Sequence, residues 1–106
     1  LSQIMINLIN NSMLHGFEGI DIGEVLIAHH ITSNTLHLEY SDNGNGIEKP
    51  VLDRVFEEYF TTKAGAGGNG LGMAIVKKLV EEELGGNISM KSTVNRGVKI
   101  DISIPL

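Results

Sequence analysis

Four uncharged polar side chains, Gln3, Asn7, Asn11 and His15, recur at intervals of four in the opening segment "LSQIMINLINNSMLHG". On a helix that spacing stacks them along one face. Asparagine is a middling helix former, so amides in this number ask for a chemical role: carbonyl oxygens suit a hard cation and N–H groups suit an anion. A second group lies in "SDNGNGI", where Asp42 ends a strand-like run and Gly44, Gly46 and Ile47 follow in a glycine loop. The third is "FTTKAGAGGNGLGMAIVKKLV", in which Phe60, Thr61, Thr62 and Lys63 precede a run of glycines that leads into an amphipathic helix. Glycine gives up more backbone entropy on folding than any other residue, and inside a helix it costs ~1 kcal/mol against alanine. The bare N–H groups and macrodipole of a helix start favour an anion, so Gly68, Gly70, Leu71 and Gly72 fit the approach of a phosphate-bearing ligand. Lys63 suits either a terminal phosphate or plain solvation.

These groups need elements to hold them. Leu1, Ile4, Met5 and Leu8 give the first fifteen residues one buried helical stripe, closed by Gly16 and Gly19. Glu24 to His30 and Thr35 to Tyr40 are rich in β-branched and apolar residues and read as a hairpin around "ITSN". "EKPVLDRVFEEYF" reads as a short helix with Pro50 in its first turn, and "TTKAGAGGN" as a flexible loop. From Gly70 to about Leu84, Leu71, Ala74, Ile75 and Leu79 mark the inner face of a second long helix, with Lys77, Lys78, Glu81 and Glu82 outward. Asn87 to Thr93 and Val98 to Ile104 alternate as two strands around "NRG". There is no internal repeat and no linker.

The composition narrows the partners. A chain of 106 residues is one domain, able to bury roughly 65% of its unfolded surface. With 42% hydrophobic and 20% charged residues it has the balance of a folded domain. The absence of cysteine removes disulfides and thiolate metal sites and favours the cytoplasm. A net charge of −5 repels a nucleic-acid backbone, so no DNA or RNA partner is expected. No apolar run is long enough to cross a bilayer. The chain opens without an initiator Met and already in helical rhythm, as a piece of a longer protein would.

Single glycine motifs mislead. "GAGGNG" satisfies the dinucleotide fingerprint, but that turn must leave a strand, and here a helix and a polar loop come first. "DNGNG" lacks the oxygen ligands and closing glutamate of a calcium loop, and the sequons "NNS" and "NIS" come with no secretory signal. Four blocks in fixed order are more specific: "NLINNSMLH", "DNGNGI", "FEEYFTTK" and "GGNGLGMAIV". Through them the chain, from Gln3 to Pro105, resembles the ATP-binding catalytic domain of sensor histidine kinases. These belong to the Bergerat-fold superfamily, with DNA gyrase, mismatch-repair ATPases and anti-sigma serine kinases.

The resemblance implies a two-layer α/β sandwich: a mixed β-sheet covered on one face by helices, spanning residues 1–106, with the beginning of the domain and the phosphoacceptor and dimerisation helices lying outside this chain. It implies ATP and Mg²⁺ as ligands, Asn11 on the metal and Asn7 reaching it through water or touching a phosphate. It gives the carboxylate of Asp42 to the exocyclic amine of adenine, with Gly44, Gly46 and Ile47 beside the base. Thr61, Thr62 and Lys63 open a lid hinged on the following glycines, and Phe56 and Phe60 pack beneath it. Many histidine kinases carry a lysine or arginine where this chain has Leu14, so phosphate binding leans more on His15, Lys63, the metal and the helix end. His15 either meets a phosphate or complements the dipole of its own helix.

Asn7 separates the members of the superfamily. The ATPases and anti-sigma serine kinases resemble one another in carrying a general-base glutamate at that slot, whereas an amide accepts no proton at neutral pH. A neutral imidazole nucleophile needs less help, which favours transfer to histidine. The expected partners are a phosphoacceptor histidine helix of the same parent protein and a response-regulator receiver domain, in a cytoplasmic module of a homodimeric parent that is membrane-bound or not. The chain alone is expected to bind ATP without phosphorylating itself, since His29, His30 and His37 fall in strands. Two alternatives stay open, an anti-sigma serine kinase, which "NSMLHGFEG" resembles, and a docking module that binds no nucleotide.

Overall fold

The computed structural model describes residues 2–57 and 72–106, the side chain of His15 excepted. Helix α1 (Ser2–Asn11) runs on into a π turn (Ser12–Gly16) that ends where the Phe17 N–H donates to the Ser12 carbonyl. Strands β1 (Val25–Thr32) and β2 (Thr35–Asp42) follow, then the short helix α2 (Lys49–Leu52). Helix α3 (Gly72–Lys78) also closes in a π turn (Leu79–Glu83), and β3 (Asn87–Thr93) and β4 (Gly97–Pro105) complete the order. Among the described residues no helix is long and apolar enough to cross a membrane.

The four strands form one sheet in the order β1-β2-β4-β3. The expected two-layer sandwich is present, but every pairing among the described strands is antiparallel, so the sheet is not the mixed one expected. The reason is local. β1–β2 and β3–β4 are joined by tight turns, which force antiparallel neighbours. β2 and β3 do run in the same direction, as strands joined through helices can, but β4 lies between them. Both strands of the first hairpin run two residues past their expected ends: Ser33 and Asn34 take up the positive φ (50° and 60°) of a two-residue turn and leave Ile31 and Thr32 in β1, while Ser41 and Asp42 extend β2 by pairing with Leu26 and Val25.

The pairing register decides which residues meet the helices. Leu38 and Tyr40 on β2 and Val98, Ile100, Ile102 and Ile104 on β4 point one way, against Ile4 and Leu8 of α1 and Met73, Val76 and Val80 of α3. The α1 stripe is the expected one at Ile4 and Leu8. The α3 stripe is shifted: Met73, Val76 and Val80 are buried, Ile75 is exposed and Leu79 is half-buried. Helix α3 packs against α1 and shares one buried cluster with the sheet, which takes in Met73, Val76 and Val80 and leaves Leu79 at its margin. On the opposite face of the sheet, His30 and His37 sit directly across the β1–β2 ladder with rings stacked at 4.7 Å.

Candidate nucleotide-binding site

The inward face of β2 ends in Asp42, and the buried stripe of α1, Ile4 and Leu8, ends one turn later in Ser12. That puts Ser12 and Asp42 together at the same end of the two layers. The Ser12 hydroxyl donates to Asp42 Oδ2 at 2.7 Å and lies 2.6 Å from the Tyr40 hydroxyl, which also reaches the Leu8 carbonyl at 3.1 Å. Asp42 Oδ1 accepts the backbone N–H groups of Gly44 (3.0 Å) and Val98 (3.1 Å). The carboxylate is thus held from three directions, by α1, by its own loop and by β4. Burial pushes the Tyr40 hydroxyl above its ordinary pKa; the hydrogen bond with Ser12 opposes this and the charge of Asp42 adds to it.

The glycine loop after Asp42 is pinned along its length. Asn45 N–H donates to the Gly16 carbonyl, Asn95 N–H to the Asn45 carbonyl, and Ile47 N–H to Ser92 Oγ, which in turn donates to the Gly97 carbonyl. The side chains of Asn43 and Asn45 bind the α1–β1 connection at Glu24, Ile22 and Glu18. Gly44 is buried against the backbone of Gly16, where a Cβ would strike the carbonyl, and Gly46 lies equally close to the Thr93 carbonyl. Gly97, at φ +86°, occupies the space beside the Asp42 carbonyl. A single turn of β3–β4 therefore supports both the loop and the carboxylate.

The amide face of α1 meets the start of α3. Asn7 Nδ2 donates to the Gly72 carbonyl at 3.3 Å, and Asn7 Oδ1 accepts from Gln3 at 3.0 Å. Asn11, half-buried one turn later, makes no hydrogen bond among the described residues. A half-buried amide oxygen without a partner among the described residues, one turn along from the Asn7–Gly72 contact, fits a cation that takes few protein ligands and the rest from phosphates. Among the described residues there is no cluster of three or more His, Cys, Asp or Glu that would make an all-protein cage instead. The structure thus places Asn7 against Gly72, and Asp42, Gly44, Gly46 and Ile47 along one pinned loop that Ser12, the residue after Asn11, ties to the first helix. His15 belongs to the π turn between Asn11 and the loop. Phe60, Thr61, Thr62, Lys63, Gly68, Gly70 and Leu71 lie outside the described residues. Phe56 packs against the core, with Lys77 Nζ over its ring at 5.4 Å; the lid it was expected to underlie is outside the described residues.

Sequence reasoning missed Ser12, Tyr40, Gly16 and Gly97. The signal for the first two was present: a hydroxyl at the next step of an apolar stripe, and an aromatic residue two before Asp42 on the same strand face.

Over residues 1–106 the chain matches the family described as histidine kinase-, DNA gyrase B-, and HSP90-like ATPase. It belongs to that family. Among relatives, it is 34% identical to the sensor histidine kinase YvrG of Bacillus subtilis over 94% of the chain, and 32% identical to the sensor histidine kinase ZraS of Escherichia coli over all of it. It spans only 17% and 22% of those proteins' lengths. Among solved structures, the catalytic domain of histidine kinase ThkA superposes with a TM-score of 0.78 at 28% identity, covering 97% of this chain and 65% of that one. Full-length ShkA in complex with AMPPNP superposes with a TM-score of 0.79 at 25% identity, covering 97% of this chain and 20% of that one.

Proposed function

We propose that this chain is the ATP-binding catalytic module of a two-component sensor histidine kinase, holding Mg-ATP so that a histidine on a separate dimerisation helix of the same parent takes the γ-phosphate. The observation that carries the reading is the carboxylate of Asp42, fixed by three donors at the end of β2. Asp42 accepts from the exocyclic amine of adenine, beside Gly44, Gly46 and Ile47. The phosphates lie toward the start of α3, where free N–H groups favour anions, with Thr61, Thr62, Lys63 and the following glycines as the lid. Asn11 would hold Mg²⁺, with Asn7 acting through water, and the ion would neutralise and orient the phosphates.

Catalysis by such a module is positioning plus electrostatics. Asn7 offers no lone pair of a base to a water molecule, so hydrolysis is disfavoured, while an imidazole brings its own lone pair. The histidine-kinase relatives and the AMPPNP complex of ShkA support this over a serine kinase. The parent is a homodimer that passes the phosphoryl group to a receiver domain, with this module in the cytoplasm.

Calorimetry with Mg-ADP tests the reading. The chain should bind with a single-site isotherm, and Asp42→Asn, which turns an acceptor edge into a partial donor, should weaken it by at least about tenfold. A silent titration of folded wild-type protein would leave the docking-module alternative standing instead.

A further inference from the structure

We propose that Ser12 and Tyr40 are specificity-determining positioning residues: a buried two-hydroxyl relay that leaves Asp42 Oδ2 with one open acceptor position, aimed past Gly16 at the nucleotide base. The inference rests on the reading above that Asp42 contacts the base, and it names what makes that contact selective.

Ser12 is 1% exposed and Tyr40 2%, and Ser12 is the one buried polar residue among those described. A hydroxyl in such a place is costly unless it is bonded, so its orientation is fixed by its partners. The hydrogens can be counted. A carboxylate and a carbonyl only accept, so the single hydrogen of Ser12 goes to Asp42 Oδ2. The 2.6 Å contact between the two hydroxyls then takes its hydrogen from Tyr40, and the Leu8 carbonyl at 3.1 Å is the longer, shared branch of the same donor. The direction of the chain is Tyr40 to Ser12 to Asp42, each donor polarising the next.

A carboxylate offers about four acceptor positions. Oδ1 spends two on the N–H groups of Gly44 and Val98, and Oδ2 spends one on Ser12. Among the described residues, the position left is on Oδ2. Gly16 is the residue beside it: a Cβ built there would stand 3.2 Å from Oδ2, so the missing side chain keeps that side clear. One acceptor position takes one N–H. A purine with a 6-amino group supplies it, whereas a 6-oxo purine presents an oxygen to a carboxylate that has no hydrogen to give. Without Ser12, Oδ2 has two open positions, water fills them, and the carboxylate no longer enforces a single donor.

The test compares Mg-ADP with Mg-inosine diphosphate, which differs by the 6-amino to 6-oxo exchange, by calorimetry on the whole chain. The wild type should prefer Mg-ADP. Ser12→Ala should lower the ADP/IDP affinity ratio by about tenfold, chiefly through ADP, with IDP affinity nearly unchanged. Tyr40→Phe, which keeps the Ser12–Asp42 bond and removes its support, should lower the ratio in the same direction by a smaller factor. Circular dichroism melts select variants that fold, and Tyr40→Phe carries the test if Ser12→Ala does not. An unchanged ratio in folded variants, or equal weakening of both nucleotides as a merely structural role would give, overturns the inference while leaving the nucleotide site in place. A wild type that binds neither nucleotide overturns both.

Discussion

Tyr40 places its phenol in the core and its hydroxyl against Ser12, two residues along the strand from Asp42. Burial raises its pKa above the ordinary 10.0, with the neighbouring carboxylate adding to the shift against the Ser12 hydrogen bond. A raised pKa in the folded state means that the unfolded chain loses this proton first. Tyr40 therefore contributes stability that is complete below its unfolded pKa and is lost as pH climbs through the higher folded value. Chemical denaturation at stepped alkaline pH should show stability falling above about pH 10. In Tyr40→Phe that component of the slope should be missing, and the tyrosinate absorbance that the wild type shows in excess of this variant should appear together with unfolding rather than before it.

At the scale of elements, the β3–β4 turn acts as a bracket for the loop after β2. Gly97 has φ +86°, and a Cβ there would run into the Asp42 carbonyl and come 3.0 Å from its Oδ1, whereas Gly19, at φ +76°, has nothing within 4 Å. Both Gly→Ala changes meet the backbone penalty of the left-handed region, about 1 kcal/mol. Only Gly97→Ala adds a collision with backbone, so it should cost clearly more in urea unfolding than Gly19→Ala and should also weaken Mg-ADP binding. Equal costs would show that the bracket yields. The same contrast explains what was legible beforehand. Helix and strand identities could be read because apolar periodicity is written locally, as at Ile4, Leu8 and along β4. The four ordered blocks, too, are local. Missing were relations between distant segments: that Gly97 backs Asp42, that Ser12 grips it, and that β4 separates β2 from β3. The inner stripe of α3 was shifted for a related reason, since which of its positions turn inward is decided by packing against α1 and the shared core rather than by local sequence.

For the whole molecule, one core joins the helices that carry the amide face to the sheet that carries the carboxylate. Ile100 lies in the middle of it, 1% exposed, paired with Tyr40 on one side and Met90 on the other. Ile100→Ala removes buried methyl and methylene groups from a central strand and should cost about 2–5 kcal/mol. A ligand that binds only the folded chain opposes this by mass action. At about a hundred times its Kd, Mg-ADP should return about 2.7 kcal/mol, whatever the variant, provided that the site survives. Thermal melts of Ile100→Ala with and without Mg-ADP measure both quantities in one protein. The nucleotide should raise its melting temperature by the same free energy as in the wild type, because Asp42 is held by Ser12, Gly44 and Val98 and none of those bonds passes through Ile100. A much smaller return in the variant would mean that binding reads the packing of the two layers and not only the anchored carboxylate, which would move the origin of affinity from the end of β2 into the core itself.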